Sequence, residues 1–272
     1  LLTCGLLGAA QADEGDRHHE AAGVATSKGK SPPWTGPGFR KGVVAVANPY
    51  GAEAGARILE LGGNAVDAAV AIAYALNVVE PQSAGIGGGG FMMIHLADRG
   101  GHGHGRWHDD EDERGKHRGQ RGRTFVIDTR EKAPAGATPN MFVGVPNASL
   151  QGVAVGVPGM VRGSELALRR FGRLDLSDVV QPAISLADDG FAATPRYALV
   201  SCNASSQNSP EAAAVFCPNG SAPVAGTLVQ NKPLADTLRL IARHGADCFY
   251  LYLPEKGCDI AKGIVEGQKF AK

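Results

Sequence analysis

Asn64-Ala65-Val66-Asp67-Ala68-Ala69-Val70-Ala71-Ile72-Ala73-Tyr74-Ala75-Leu76-Asn77-Val78-Val79 is the stretch on which the fold turns. It is apolar almost all round, so a helix over 65–79 must bury most of its faces. Asn64 is placed to cap it, with Asp67 three residues later in a capping-box arrangement. Pro81 lies just beyond its end. The alanines allow neighbouring backbones to approach closely, and the segment is too short to span a bilayer.

Working outward, residues 52–61 have helical composition and stop at Gly62-Gly63. Before them, Val43-Val44-Ala45-Val46-Ala47 reads as a buried strand ended by Asn48-Pro49. After the central helix come Gly85-Ile86-Gly87-Gly88-Gly89-Gly90 and a strand over 91–96. Residues 99–123 hold histidines, glycines and the acidic run 109–113 with almost no apolar content, which reads as a disordered surface insertion. A strand over 124–128 follows, so the insertion is the loop of a hairpin. Residues 152–157 read as another strand and Met160 to Phe171 as a helix with Gly172 at its end. Residues 176–180 and 182–188 read as two short helical pieces, with Pro182 opening the second. Residues 201–232 are loop-rich. Leu234, Leu238, Ile241 and Ala242 share one face of a last helix, between Pro233 and Gly245. Strands alternating with helices around a buried alanine-rich layer argue for an α/β or a layered α+β domain.

The chain has 272 residues with 27 basic and 27 acidic side chains. Zero net charge leaves no overall footprint for nucleic acid or an anionic membrane. No run of about 18 apolar residues occurs. Residues 1–12 resemble the back half of a secretory leader, ending in Ala10-Gln11-Ala12, and fit the stub of a membrane anchor equally well. Residues 13–41 are polar and rich in proline and glycine, a flexible linker. Residues 42–272 form the folded portion. The last residues, 264–272, carry no stop signal, so the sequence reads as ending in mid-domain. Asn147-Ala148-Ser149, Asn203-Ala204-Ser205 and Asn219-Gly220-Ser221 are N-x-S sequons, in keeping with a secretory route. Apart from Cys4, the cysteines are Cys202, Cys217, Cys248 and Cys258. Cys202 with Cys217, and Cys248 with Cys258, can pair in an oxidising compartment; buried free thiols are the alternative.

The glycine run is not a dinucleotide loop, because a helix precedes it and a strand follows, the reverse of the required order. His102 and His104 have metal-binding atoms, but nothing in their Gly-rich segment fixes a geometry. Arg130 ends the strand over 124–128, in Asp128-Thr129-Arg130-Glu131-Lys132-Ala133-Pro134. It is either a surface charge paired with a neighbour such as Glu131, or a guanidinium that holds a substrate carboxylate through two parallel hydrogen bonds. No G-x-S-x-G, H-E-x-x-H or Cys–His pairing appears, so no complete catalytic set is displayed.

Several segments together resemble the gamma-glutamyltransferases, also called glutathione hydrolases. They are residues 61–69 (Leu-Gly-Gly-Asn-Ala-Val-Asp-Ala-Ala), 85–91, Arg130-Glu131-Lys132-Ala133-Pro134, Val155-Gly156-Val157-Pro158-Gly159, 181–191, 233–238, 245–247 and Phe249-Tyr250. The matches run in order from about Gly42 to about Val265, and only their ordered sum is specific.

The resemblance implies an α+β fold, the N-terminal-nucleophile hydrolase αββα four-layer sandwich, here incomplete, as the front of the large subunit. It implies a precursor that cuts itself before a threonine. That threonine attacks the gamma-glutamyl carbonyl with its own α-amine as base, and the acyl group then passes to water or an acceptor amine. Backbone donors hold the oxyanion. The threonine opens a second, smaller subunit beyond residue 272, so no catalytic residue is expected in this chain. Arg130 matches the arginine that binds the α-carboxylate of the glutamyl group. The implied partners are glutathione and other gamma-glutamyl compounds, acceptor amino acids or dipeptides, and the small subunit from the same precursor. No nucleic acid, metal or cofactor is implied. The implied location is secreted, or at the extracellular face of the plasma membrane. A non-catalytic fragment or binding module, or a related acylase, is the alternative. Two features depart from the family: the 99–123 insertion, and cysteine spacings unlike the disulfides of animal members.

Overall fold

A computed structural model describes residues 42–97, 122–148, 152–203, 206–207 and 209–269. Residues 1–12, the expected linker over 13–41 and nearly all of the expected insertion over 99–123, with His102 and His104, lie outside the described residues.

The fold is built around the predicted central helix. Helix α1 (Pro49–Glu60) starts at Asn48, whose Oδ1 accepts the Tyr50 N–H at 3.0 Å. Its buried stripe is Gly51, Ala54, Gly55 and Ile58, and the two glycines and the alanine let α2 (Ala65–Val79) lie close against it. The capping box at α2 is complete. Asn64 Oδ1 accepts from Val66 N and Asp67 N, and the Asp67 carboxylate accepts from Asn64 N at 2.7 Å. Asp67 is fully buried because the same carboxylate also receives Arg173 N at 3.0 Å and Leu174 N at 3.3 Å. The Asn64 amide donates to Phe171 O at 2.6 Å. The start of α2 therefore clamps the end of α4 (Met160–Phe171) and the turn into α5 (Leu176–Asp188). Val70, Ala71, Tyr74 and Val79 on α2 are completely buried, as the all-round apolar pattern requires.

A short helix α3 (Pro81–Ala84) leads into the glycine run and then to strand β1 (Phe91–Leu96). Strand β2 (Arg123–Asp128) pairs with β1 antiparallel, Phe91 opposite Asp128 and Leu96 opposite Arg123, the hairpin expected across the insertion. Ile94 and Ile127 point to the core, while Phe91, Met93 and Val126 face out at 69%, 75% and 58% exposure. Further along are β3 (Phe191–Ala192), α6 (Pro195–Val200), α7 (Pro210–Phe216), β4 (Leu228–Val229), α8 (Lys232–His244), α9 (Asp247–Tyr250) and α10 (Ile260–Lys269). β3 and β4 form a second antiparallel pair. Helices α5 and α8 pack on each other, and α5 also packs on α2. The architecture is α+β.

Three local readings are corrected. Residues 43–47 are not a buried strand: they pair with no described strand, and Val43 is exposed. An apolar run suits a strand, but its partner is not encoded locally. Residues 152–157 are a 3₁₀ turn over Gly152–Ala154 followed by a single bridge from Val157 to Lys132. Residues 176–188 are one helix through Pro182 rather than two pieces. Its buried stripe of Val179, Val180, Ala183, Ile184 and Ala187 outweighs the single hydrogen bond that proline removes. The cysteine alternatives are resolved as disulfides, Cys202–Cys217 and Cys248–Cys258.

Candidate functional site

Three separated sequence motifs meet at the end of the β1–β2 hairpin. The glycine run enters β1, and Thr129 leaves β2 directly opposite. The Thr129 hydroxyl accepts from Gly90 N at 2.9 Å and donates to Gly90 O at 2.9 Å, while Thr129 N also donates to Gly90 O at 2.8 Å. The loop before α4 closes the third side: Gly159 N and Met160 N both donate to Gly88 O at 3.2 Å. Lys132 and Val157 exchange backbone hydrogen bonds of 3.1 and 2.8 Å. The Thr129 carbonyl presses on the α-carbons of Gly89 and Gly159, where any added Cβ would overlap it. Glycine is needed at these two positions for close approach, not for an unusual backbone angle. The backbone of residues 129–132 is thus held between the glycine run and the 155–159 loop.

Arg130 projects from this fixed backbone. Its N–H donates to Asp128 Oδ1 at 2.9 Å, and its guanidinium Nη2 lies 3.1 Å from Glu131 Oε2. The side chain is 58% exposed. So the neighbour-paired reading is realised, and the guanidinium also stands open to solvent, on a backbone whose Arg130 Cα lies against Gly89. A guanidinium has five N–H donors in a planar fork. Among the described residues Glu131 is its one side-chain partner. A partly exposed pair of this kind is worth little, so an incoming carboxylate can share or displace it.

A second set of residues supports the loop from behind. The Tyr250 hydroxyl donates to Pro158 O at 2.9 Å and accepts from Arg162 N at 3.2 Å. The Arg162 guanidinium stacks over the Tyr250 ring, 5.1 Å from its centroid, and pairs with Asp247 at 2.7 Å and Glu165 at 3.2 Å. Glu165 Oε1 accepts from Ala246 N at 3.0 Å. Burial pushes the Tyr250 phenol above its ordinary pKa, against the lowering pull of Arg162. Tyr74, completely buried on α2, is pushed up by burial and by neighbouring Tyr250 and Glu165. In the sequence, Phe249-Tyr250 stands out only as part of the family resemblance. Tyr250's support of Pro158 had no local signal, because the two residues are 92 positions apart.

Among the described residues no group of three or more His, Cys, Asp or Glu side chains is disposed to hold a metal ion, and no helix is long and apolar enough to cross a membrane. A cleft of about 310 Å³ lies between α1 and α5, lined by Tyr50, Glu53, Arg57, Gln181, Ser185 and Asp189 among others. None of the glycine run, Arg130 or Tyr250 lines it.

Comparison with known proteins places these motifs. Residues 51–103 and 117–267 match the family model described as Gamma-glutamyltranspeptidase. The chain is 40% identical over 219 residues to the glutathione hydrolase proenzyme of Bacillus subtilis (strain 168), covering 78% of this chain and 34% of that protein. It is 37% identical over 224 residues to the acylase ACY 1 proenzyme of Pseudomonas sp. (strain SE83), covering 77% of this chain and 36% of that protein. The crystal structure of Helicobacter pylori gamma-glutamyltranspeptidase superposes with a TM-score of 0.70 at 35% identity, covering 86% of this chain and 61% of that one. The chain spans about a third of the length of the curated relatives it matches.

Proposed function

The chain belongs to the gamma-glutamyltranspeptidase family, and from that premise we propose that it forms the glutamyl-binding part of a gamma-glutamyltransferase acting on glutathione. Its N-terminal-nucleophile hydrolase fold supplies the helical layers and the hairpin that carry Arg130. The observation behind the reading is the convergence of the glycine run, Thr129–Lys132 and the 155–159 loop, which fixes the Arg130 backbone while leaving its guanidinium open. In the proposed reaction Arg130 receives the α-carboxylate of a gamma-glutamyl donor through two parallel hydrogen bonds. A threonine hydroxyl encoded outside these 272 residues attacks the gamma-carbonyl, and its own amine takes the proton. The C–N bond breaks, the amine leaves with a proton, and the acyl-threonine passes to water or an acceptor amino acid.

The exposed apolar side chains Phe91, Met93 and Val126 share the outer face of the hairpin. We read that face as the seat of the remainder of the same precursor, the small subunit; the relatives' printed names, which call them proenzymes, favour this. A secreted or cell-surface location is supported by the two disulfides, since such bonds persist mainly in oxidising compartments. An acylase is the second reading, favoured by the 37% identity to an acylase proenzyme.

The test is release of the chromophore from a gamma-glutamyl anilide by the full-length precursor product, with Arg130→Ala and Arg130→Lys beside it. A sharply raised KM in the alanine variant, partly restored by lysine, supports the glutamyl reading. Equal KM values in all three would remove Arg130 from the substrate site.

A further inference from the structure

We propose that Asn219 carries an N-linked glycan; this deepens the secretory reading above and rests on it. Of the three sequons, only Asn219-Gly220-Ser221 lies wholly within the described residues. Asn219 sits exposed at the tip of a 3₁₀ turn over Pro218–Gly220, with backbone angles φ 60° and ψ 27°. The turn is closed beneath it by Gly220 N to Cys217 O at 2.9 Å and Ser221 N to Pro218 O at 3.4 Å. The Asn219 backbone is thus fixed, while its exposed amide makes no hydrogen bond among the described residues that a sugar would displace.

Asn203 is in the opposite situation. Its Nδ2 donates to Val200 O at 3.1 Å and its Oδ1 accepts from Ser206 N at 3.1 Å. Ser206 is itself buried, with its hydroxyl 3.4 Å from Cys217 Sγ. The Asn203 amide is therefore a structural tie in the turn under the Cys202–Cys217 disulfide, and a sugar there would work against it. Ser149, the hydroxyl residue of the Asn147 sequon, is outside the described residues.

The disulfides provide the second, independent observation. Cys217, two residues before Asn219, is bonded to Cys202, and Cys248 to Cys258. Four oxidised cysteines belong to the same kind of compartment in which N-glycans are attached. In the transfer, the Asn219 Nδ2–H bond breaks and a bond forms from Nδ2 to the anomeric carbon of an N-acetylglucosamine. The co-substrate is a polyprenyl-diphosphate-linked oligosaccharide, and the polyprenyl diphosphate leaves as the proton is lost to base.

The experiment expresses the full-length precursor with its own N-terminus in a eukaryotic secretory host. It reads electrophoretic mobility before and after peptide-N-glycosidase F, peptide mass at Asn219, and free thiols by alkylation. The proposal expects the glycosidase to convert Asn219 to Asp, and Asn219→Gln and Ser221→Ala each to lose the same mobility step. Because Ser221→Ala leaves the turn residue intact, a folding defect in Asn219→Gln does not mask the result. Secreted protein with oxidised cysteines and an unmodified Asn219 peptide overturns this proposal and leaves the secretory reading standing. Protein retained in the cytosol with four free thiols overturns both.

Discussion

The hydroxyl of Tyr250 donates a 2.9 Å hydrogen bond to the carbonyl oxygen of Pro158 and so holds the loop that presses Gly159 against Thr129. Tyr250 touches no substrate in this account; it is a positioning residue one step removed from Arg130. Tyr250→Phe keeps the ring, and its stacking under Arg162, but removes the hydroxyl. We expect KM for a gamma-glutamyl anilide to rise about fivefold, the equivalent of ~1 kcal/mol, with kcat nearly unchanged. A fall in kcat at constant KM would place Tyr250 in some other role.

The packing of Gly159 on Thr129 makes a sharper contrast. Gly159→Ala puts a methyl group into the Thr129 carbonyl, so the strand end must shift and carry Arg130 with it. Gly87, two residues before Gly89 in the same run, has open space where its Cβ would be. Gly87→Ala is therefore expected to keep wild-type donor affinity, while Gly159→Ala loses at least about tenfold, on the scale of 1–3 kcal/mol for overpacking. Paired KM measurements check this, and equal effects at the two glycines would refute the close-approach argument.

Asp67 predicts a stability effect without a catalytic one. Its buried carboxylate serves the backbone N–H groups of Asn64, Arg173 and Leu174 together. Asp67→Ala leaves those donors unpaired and is expected to cost on the order of 3 kcal/mol. Denaturant unfolding of the full-length protein measures it. A loss under about 0.5 kcal/mol, the range of ordinary surface substitutions, would show that the clamp is not needed.

Buried phenols make stability fall at alkaline pH. Burial pushes Tyr197 up to about 12 from its ordinary 10. The folded state thus keeps its proton where the unfolded chain loses it. The associated stability is whole below about pH 10 and is lost as pH rises toward about 12. Tyr74 and Tyr250 shift in the same direction. Tyr197→Phe should flatten this decline in urea unfolding curves taken across that range, by an amount on the order of 2 kcal/mol. An unchanged slope would contradict the shift.

Much of this was legible in the residues alone because it is local. The cap of Asn64 with Asp67, the boundaries of the helix over 65–79, and the helix from Met160 to Phe171 follow from side chains within a turn or two of each other. The hairpin pairing followed from two apolar runs bracketing a polar insertion. What could not be read was set by distant partners. Residues 43–47 look like a strand but have no described strand to join. Pro182 looks like a helix start, yet the packing of α5 on α2 and α8 carries the helix through it. Tyr250 carries no signature of its support for Pro158. Arg130 was legible as a candidate, but only the fold shows that its backbone is wedged between two glycine-bearing loops and that Glu131 already occupies part of its fork.

The most direct measurement pairs a change in the enzyme with a change in the substrate. The full-length processed protein is assayed with a gamma-glutamyl anilide and with the 4-aminobutyryl anilide, which lacks the α-carboxylate, in wild type and Arg130→Ala. The account predicts that wild type strongly prefers the carboxylate-bearing donor in kcat/KM and that Arg130→Ala loses most of that preference. A preference of equal size in both proteins would contradict it.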